Sequence, residues 1–188
     1  FKVVSALIKS LRGSDPQAGL YWCARMLEGG EDPMFVARHL VIFASEDIGN
    51  ADPRALQVAV SAMQAVHLIG MPEARIVLGQ AVTYLSTAPK SNRAYLAMDA
   101  AIDTVRKTGP LPVPPHLKNA HTELAKSMGD GHGYKYPHDH PGHIVKQEYL
   151  PEKLQGTVFY TPAGHAAEKI IAERMAWIAD QLPKRKQS

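Results

Sequence analysis

The sequence has a single cysteine and no long apolar run. Cys23 has no second cysteine with which to pair, so an intramolecular disulfide is excluded and a reducing compartment is expected. Polar side chains at Arg38, His39, His67 and Arg75 interrupt the most apolar stretches. None of these stretches approaches the roughly 20 apolar residues that a membrane-spanning helix needs. We therefore expect no membrane contact and a cytoplasmic protein.

The excess of positive over negative charge is also small. The 188 residues are 45% hydrophobic and 21% charged, and 21 Lys and Arg against 18 Asp and Glu give a net charge of +3. Such a balance permits an acidic partner without requiring one. We expect the basic end, Lys184-Arg185-Lys186, to stay solvated. No charged segment followed by an apolar core comes after Phe1, so no signal peptide is expected, and the lack of an initiator Met suggests a piece of a longer protein.

The common catalytic motifs are missing. There is no Gly-x-x-x-x-Gly-Lys-Ser/Thr phosphate loop, no Gly-x-Gly-x-x-Gly, no Cys-x-x-Cys and no His-Glu-x-x-His. Cys23 lies on an apolar helix face, which favours a core residue over a nucleophile. Glu46-Asp47 is a carboxylate pair, but solvent contact or loop capping is the simpler interpretation than acid/base chemistry. We therefore predict no catalytic residue, no cofactor site and no ATPase activity in this chain.

Helix-start signals are regular. Asp15-Pro16, Asp32-Pro33 and Asp52-Pro53 each precede an apolar-periodic stretch. An Asp side chain accepts the unpaired N–H groups of a first helical turn, and Pro at the first position loses no hydrogen bond. These pairs predict three successive helices, and Ser91-Asn92 can cap a later one.

Apolar residues repeat at helical spacing after these starts. The third helix is apolar nearly all round, so we place it at the centre. The stripe of the sixth helix ends before Gly109-Pro110 and consists of Tyr95, Met98, Ile102 and Val105.

The pattern changes after residue 109. A proline-rich connector leads to a predicted helix that contains Leu117, Ala120, His121 and Leu124, and residues 129–161 show no sustained period, with a weak extended segment at 158–160. Ala167, Ile170, Ile171, Arg174, Ile178 and Leu182 predict a last helix. We expect an all-α bundle with a helical core at 1–109, and 110–188 packing on that core as one domain overall.

Two turns could hold a phosphate. Lys9 and Arg12 flank the Gly-Ser turn before one helix, and Lys90 and Arg93 flank the Ser-Asn turn before another. Helix N-termini favour anions. Plain capping of exposed helices is the alternative.

Four histidines cluster in the irregular region, at His132, His138, His140 and His143, beside Asp139. Imidazoles can hold zinc or nickel. Their spacing matches no closed structural site and no thiolate accompanies them, so a turn-rich surface loop is favoured and no metal ligand is assigned.

Ten short motifs follow one another in order. They are Lys9-Ser10-x-Arg12-Gly13-Ser14-Asp15-Pro16, Leu20-Tyr21-Trp22-x-Ala24-Arg25-Met26-Leu27, Glu31-Asp32-Pro33, Ala44-Ser45-Glu46-Asp47-Ile48-Gly49, Ala51-Asp52-Pro53, Gly70-Met71-Pro72-Glu73, Ala88-Pro89-Lys90-Ser91-Asn92, Gly133-Tyr134-Lys135-Tyr136-Pro137-His138, Tyr149-Leu150-Pro151 and Phe159-Tyr160-x-Pro162. Together they resemble the C-terminal region of the replication-associated recombination protein A family (RarA, also called MgsA), whose eukaryotic relative is the Werner helicase-interacting ATPase.

The resemblance implies a fragment of a AAA+ ATPase related to clamp-loader subunits. The collar-like helical part of such proteins joins subunits, here implying a homotetramer. The parent would act at stalled replication forks on DNA, with single-strand-binding protein, at the nucleoid. If this part helps to position that DNA, Lys9, Arg12, Lys90 and Arg93 are the candidates for contacts to its phosphates. ATP and Mg would bind upstream of Phe1, so no cofactor is implied for this chain, and no catalytic or binding residue carries over.

Three functions remain open. The leading hypothesis is a non-catalytic oligomerisation domain, because the helices at 35–48 and 54–69 are apolar on more than one face. The alternatives are a free-standing metal-dependent helical enzyme that uses the histidine-rich loop, and an independent DNA-binding module, for which a net charge of +3 is low.

Overall fold

The computed structural model describes residues 2–183. The predicted basic tail at 184–186 therefore lies outside the described residues. The described part is all-helical, as predicted, and contains no β-strand. Its α-helices are α1 (Lys2–Arg12), α2 (Pro16–Glu28), α3 (Pro33–Phe43), α4 (Arg54–Ile69), α5 (Ala74–Thr87), α6 (Arg93–Thr108), α7 (Glu123–Ser127) and α8 (Glu168–Gln181). None of the described helices is long and apolar enough to cross a membrane.

A helix follows each of the three Asp-Pro pairs, as predicted, although α4 begins at Arg54, one residue after Pro53. Asp15 Oδ1 accepts the N–H of Ala18 at 3.0 Å and Asp32 Oδ1 accepts that of Met34 at 2.9 Å, at the beginnings of α2 and α3. Asp52 Oδ1 accepts the N–H of Arg54 at 3.1 Å where α4 begins. These contacts satisfy N–H groups that have no partner within the helix.

The structure divides into two compact units, of which the first comprises Phe1–Met98 with Tyr160–Ala172. Its helix α3 contacts α1, α2, α4 and α5, which confirms the predicted central position. Helix α2 approaches α1 and α5 closely at Gly19, where a Cβ would lie 3.0 Å from Leu11 and 3.1 Å from Val82. The largest fully buried apolar side chains are Leu7, Leu11, Val36, Leu40, Phe43, Ile48, Val66, Leu78, Val82 and Leu85.

Helix α3 does not continue regularly to Ile48. After Phe43 the chain makes a wider π-helical turn at Ala44–Ile48 and then a 3-10 turn at Gly49–Ala51. The π-helical turn keeps Ile48 in the core and buries Asp47 as well. This local widening matters for the site described below.

The second unit comprises Asp99–Phe159 with Glu173–Ser188. The helix predicted through Leu117 and Leu124 is wrong: a 3-10 turn spans Pro115–Leu117, and α7 begins only at Glu123. Thr122 sets this start, because its hydroxyl oxygen accepts the N–H of Ala125 at 3.0 Å. The irregular region is confirmed, and residues 158–160 form no strand. The predicted boundary at residue 109 stays a prediction.

No described residue of the second unit is buried, whereas the first unit has a continuous core. A compact unit normally buries an apolar core of its own. The described residues of the second unit therefore form no buried apolar core that would stabilise it in a single chain.

Candidate functional site

The structure brings the two predicted phosphate-binding turns together. The ammonium Nζ of Lys90, after α5, donates to the hydroxyl of Ser14, after α1, at 3.2 Å. The N–H of Ser91 donates to the carbonyl oxygen of Asp47 at 2.8 Å, and Arg12 binds the Asp47 side chain. The two turns thus meet beside the π-helical turn that carries Asp47.

Arg12 and Asp47 form a bidentate ion pair. Arg12 Nε lies 2.8 Å from Oδ1 and its Nη2 lies 3.3 Å from Oδ2. The Asp47 side chain is only 9% exposed and that of Arg12 is 48% exposed. The hydrogen bond to Asp47 raises the pKa of Arg12. Our expectation of solvent contact or loop capping is wrong for Asp47, because the wider turn after α3 places its carboxylate against α1.

Lys90 uses all of its donors inside the protein. An ammonium has three N–H groups, and those of Lys90 donate to Ser14 Oγ and to the carbonyl oxygens of Ser86 and Ala88. Burial lowers the pKa of Lys90, and the nearby charge of Asp47 opposes this effect. The side chain therefore closes the end of α5 and has no N–H left for a phosphate in this conformation.

The other two predicted DNA contacts, Lys9 and Arg93, are exposed. Lys9 lines a groove of about 270 Å³ together with Arg12, His39 and Glu46. Arg93 begins α6, and its N–H donates to Ser91 Oγ at 3.3 Å, which agrees with the predicted cap. Arg12 and Lys90 form hydrogen bonds within the protein. That the four cations contact DNA phosphates stays a prediction.

The histidine-rich loop does not gather its imidazoles around one point. His138 packs edge-on against His143, with ring centroids 4.8 Å apart, and lies 5.2 Å from Tyr136. Among residues 2–183, no three His, Cys, Asp or Glu side chains form a group that could hold a metal ion. Cys23 is 4% exposed in the core, and burial raises its pKa to about 11. The described residues therefore offer no geometry for the metal-enzyme alternative.

Sequence reasoning missed a buried carboxylate. Glu168, at the start of α8, is fully buried, and its Oε2 accepts the hydroxyl of Tyr160 at 2.6 Å. Burial would raise the pKa of Glu168, but hydrogen bonding to Ser91, Tyr160 and the main chain of Ala163 outweighs it and lowers the pKa. Its other oxygen, Oε1, has no well-aligned partner among the described residues. The Phe-Tyr-x-Pro motif could have pointed to Tyr160, but nothing in the sequence distinguishes Glu168 from a solvated helix residue.

An exposed apolar stripe runs along α6. None of its sixteen residues, all of them described, is buried. Met98, Ile102 and Val105 are 62%, 39% and 59% exposed. Their spacing of four and three residues puts them on one helix face. An apolar stripe that residues 2–183 leave uncovered is typical of an interaction surface.

A known family matches nearly the whole chain. The sequence model of the family described as MgsA AAA+ ATPase C-terminal matches residues 13–179. The chain belongs to this family. The predicted family resemblance is therefore confirmed over residues 13–179.

Several similar proteins carry the name replication-associated recombination protein A, and another is named as an ATPase. The domain is 49% identical over 175 residues to the replication-associated recombination protein A of Coxiella burnetii, covering 93% of this chain and 40% of the relative. It is 44% identical over 182 residues to the protein of that name from Escherichia coli K12, covering 96% and 41%. It is 43% identical over 161 residues to the ATPase WRNIP1 of Dictyostelium discoideum, covering 85% and 18%. The domain spans about two fifths of the length of these two bacterial relatives.

Proposed function

We propose that this chain is the part through which a AAA+ ATPase of the family assembles into a homo-oligomer, a tetramer, that acts on DNA. It contributes no catalytic residue itself. ATP and Mg bind in a part of the parent that this chain does not cover. The parent works with single-strand-binding protein at stalled forks, in the cytoplasm at the nucleoid. The name of the bacterial relatives supports the action on DNA, and that of the Dictyostelium relative supports an ATPase as the parent.

The main support for a homo-oligomer is the exposed α6 stripe. Covering the exposed side chains of Met98, Ile102 and Val105 would stabilise the contact by about 25 cal/mol for every Å² of apolar surface removed from water. A spacing of four and three residues is also that of helices which pack side by side. A second copy of the chain offers the same stripe, so a symmetric contact would cover both at once.

The lack of buried residues in the described part of the second unit supports the same proposal. Its described residues include exposed apolar side chains but no buried ones. A unit without a core in the single chain gains one when a neighbouring subunit covers it, as obligate interfaces resemble a core cut in two.

The test is the molar mass of the chain by light scattering at increasing concentration. We expect a mass above that of the monomer for the native chain and a monomer for Ile102→Glu, because a buried carboxylate would oppose the contact. Ala100→Glu is the matched control, since this exposed residue faces away from the stripe on the same helix. A native chain that remains monomeric to high micromolar concentration would refute the proposal. So would an Ile102→Glu chain with the native mass.

A further inference from the structure

A cationic groove lies in the second unit, and none of its described lining residues belongs to the α6 stripe. It measures about 540 Å³ and lies between the turn at 140–146 and the last turns of α8. Trp177 lines it from the helix, and Lys135, His140 and Lys146 line it from the loop. We call this feature the Trp177 groove.

The indole of Trp177 is held in place but remains accessible. The guanidinium of Arg174, one helical turn earlier, lies 4.4 Å from its ring centroid. On the loop side the ring meets Gly142, where a Cβ would come within 3.2 Å of Cη2. Even so, Trp177 is 40% exposed. A large aromatic side chain that is oriented from two sides and open to solvent provides a fixed surface for another flat group.

The loop side of the groove is held by hydrogen bonds. The side-chain amide of Gln147 accepts the N–H of Lys135 at 3.2 Å and donates to the Lys135 carbonyl oxygen at 2.8 Å. Lys135 Nζ donates to the carbonyl oxygen of Lys146 at 3.3 Å. These bonds hold Lys135 beside the main chain of Lys146 on the loop side of the groove.

The charge of the groove selects for an anion. Two lysines and a histidine line it, and none of its described lining residues is an aspartate or glutamate. A lysine ammonium has three donors and suits phosphate oxygens. Cations beside an open aromatic ring are the combination with which proteins hold single-stranded nucleic acid, since the ring stacks on a base and the cations follow the backbone.

From this geometry we propose that the Trp177 groove binds single-stranded nucleic acid, with one base stacked on Trp177 and the neighbouring phosphates on Lys135 and Lys146. A volume of about 540 Å³ is within the usual size of a small-ligand site, about 300–1,000 Å³, and gives room for a nucleotide. Duplex DNA keeps its bases stacked inside and offers none to the indole. The inference rests on the proposed action on DNA and does not depend on the oligomer.

The chain allows a direct optical test, because Trp22 and Trp177 are its two tryptophans. In a Trp22→Phe background, the remaining fluorescence comes from Trp177. We expect a thymidine dodecamer to quench it at low salt, because a stacked base contacts the ring. Thymidine monophosphate measures the contribution of a single nucleotide, and a hairpin duplex and polyglutamate test other ligand classes.

Affinity of substituted chains tests the individual contacts by fluorescence anisotropy with a labelled dodecamer. Trp177→Ala should weaken binding by about 5- to 150-fold, and Trp177→Phe by less, because stacking on an aromatic ring contributes about 1–3 kcal/mol per base. Lys135→Ala with Lys146→Ala should make the slope of log K against log salt shallower by about 1.4, or about 0.7 for each lost phosphate contact. Lys153→Ala, an exposed lysine outside the groove, is the matched control.

Two results would overturn the inference. One is an unchanged affinity for the dodecamer in Trp177→Ala and in the double lysine variant, with native circular dichroism. The other is equal or tighter binding of duplex or polyglutamate, which would assign the groove to another ligand. Light scattering on the same variants separates this inference from the oligomer, since all of them should keep the native mass.

Discussion

Tyr84 donates its hydroxyl hydrogen to Oδ2 of Asp52 and so joins the last turn of α5 to the start of α4. The other carboxylate oxygen accepts the N–H of Arg54 at 3.1 Å. Burial would raise the pKa of Asp52, but the hydrogen bonds from Tyr84 and Arg54 outweigh it and lower the pKa. The same contact raises the pKa of Tyr84. A residue that the sequence marks as a helix cap therefore also fixes two helices to each other.

Removing the charge of Asp52 should change how stability depends on pH. A carboxylate with a lowered folded-state pKa stabilises the fold fully above its unfolded pKa, near 3.8, and loses this effect as the pH falls through the folded value. We expect Asp52→Asn to cost about 1–2 kcal/mol at pH 7 and to flatten the loss of stability in acid. Urea denaturation at several values between pH 3 and pH 7 measures both effects.

Asp32→Asn is the matched control, because Asp32 also caps a helix but is exposed. Asn caps a helix about as well as Asp, so this variant should remain within about 0.5 kcal/mol of the native chain. If both variants showed the same pH dependence as the native chain, the contact between Asp52 and Tyr84 would have no part in acid stability.

The ion pair between Arg12 and Asp47 should matter more for stability than its surface position suggests. Arg12→Ala leaves the nearly buried Asp47 carboxylate without its cation, and we expect a loss of about 1–3 kcal/mol in the free energy of unfolding. Arg54→Ala removes a cation from Asp52, but this arginine side chain is 79% exposed and lies 3.4 Å away. That variant should lose less than about 1 kcal/mol. Equal losses in thermal or urea denaturation would contradict this ranking.

The four predicted DNA contacts should separate into two pairs. Lys9→Ala with Arg93→Ala removes two exposed cations and should reduce the salt slope of single-strand binding by about 1.4 without a loss of stability. Arg12→Ala and Lys90→Ala also remove internal hydrogen bonds, so any loss of binding must be corrected for destabilisation. Anisotropy with a gapped oligonucleotide measures the slope, and binding should be weak, with Kd on the order of 10⁻⁴ M or poorer at physiological salt.

An unchanged affinity and slope in the pair Lys9→Ala and Arg93→Ala would remove these two residues from the DNA-binding surface. The Trp177 groove makes a separate prediction, since none of the four cations lines it. Comparing these variants with those of the Trp177 groove therefore shows which of the two surfaces contacts single-stranded DNA.

The sequence by itself determined the helical class, most helix starts and the family. Capping by Asp15, Asp32 and Asp52 depends on N–H groups two or three residues away, and the apolar period of α3 depends on neighbours along the same helix. Such local rules act within a few residues and can be read in order along the chain. The predicted helix around Ala120 is wrong because a hydroxyl cap at Thr122 competes with a weak apolar period.

Only the tertiary structure decided which partners distant residues meet. Arg12 binds Asp47 thirty-five positions away, and Asn50 donates to Tyr160 across 110 positions. The same folding leaves the α6 stripe and Trp177 exposed, although their apolar character is that of core residues. Burial depends on which surfaces the rest of the chain covers, and a helical period shows which residues share a face but not what packs against that face.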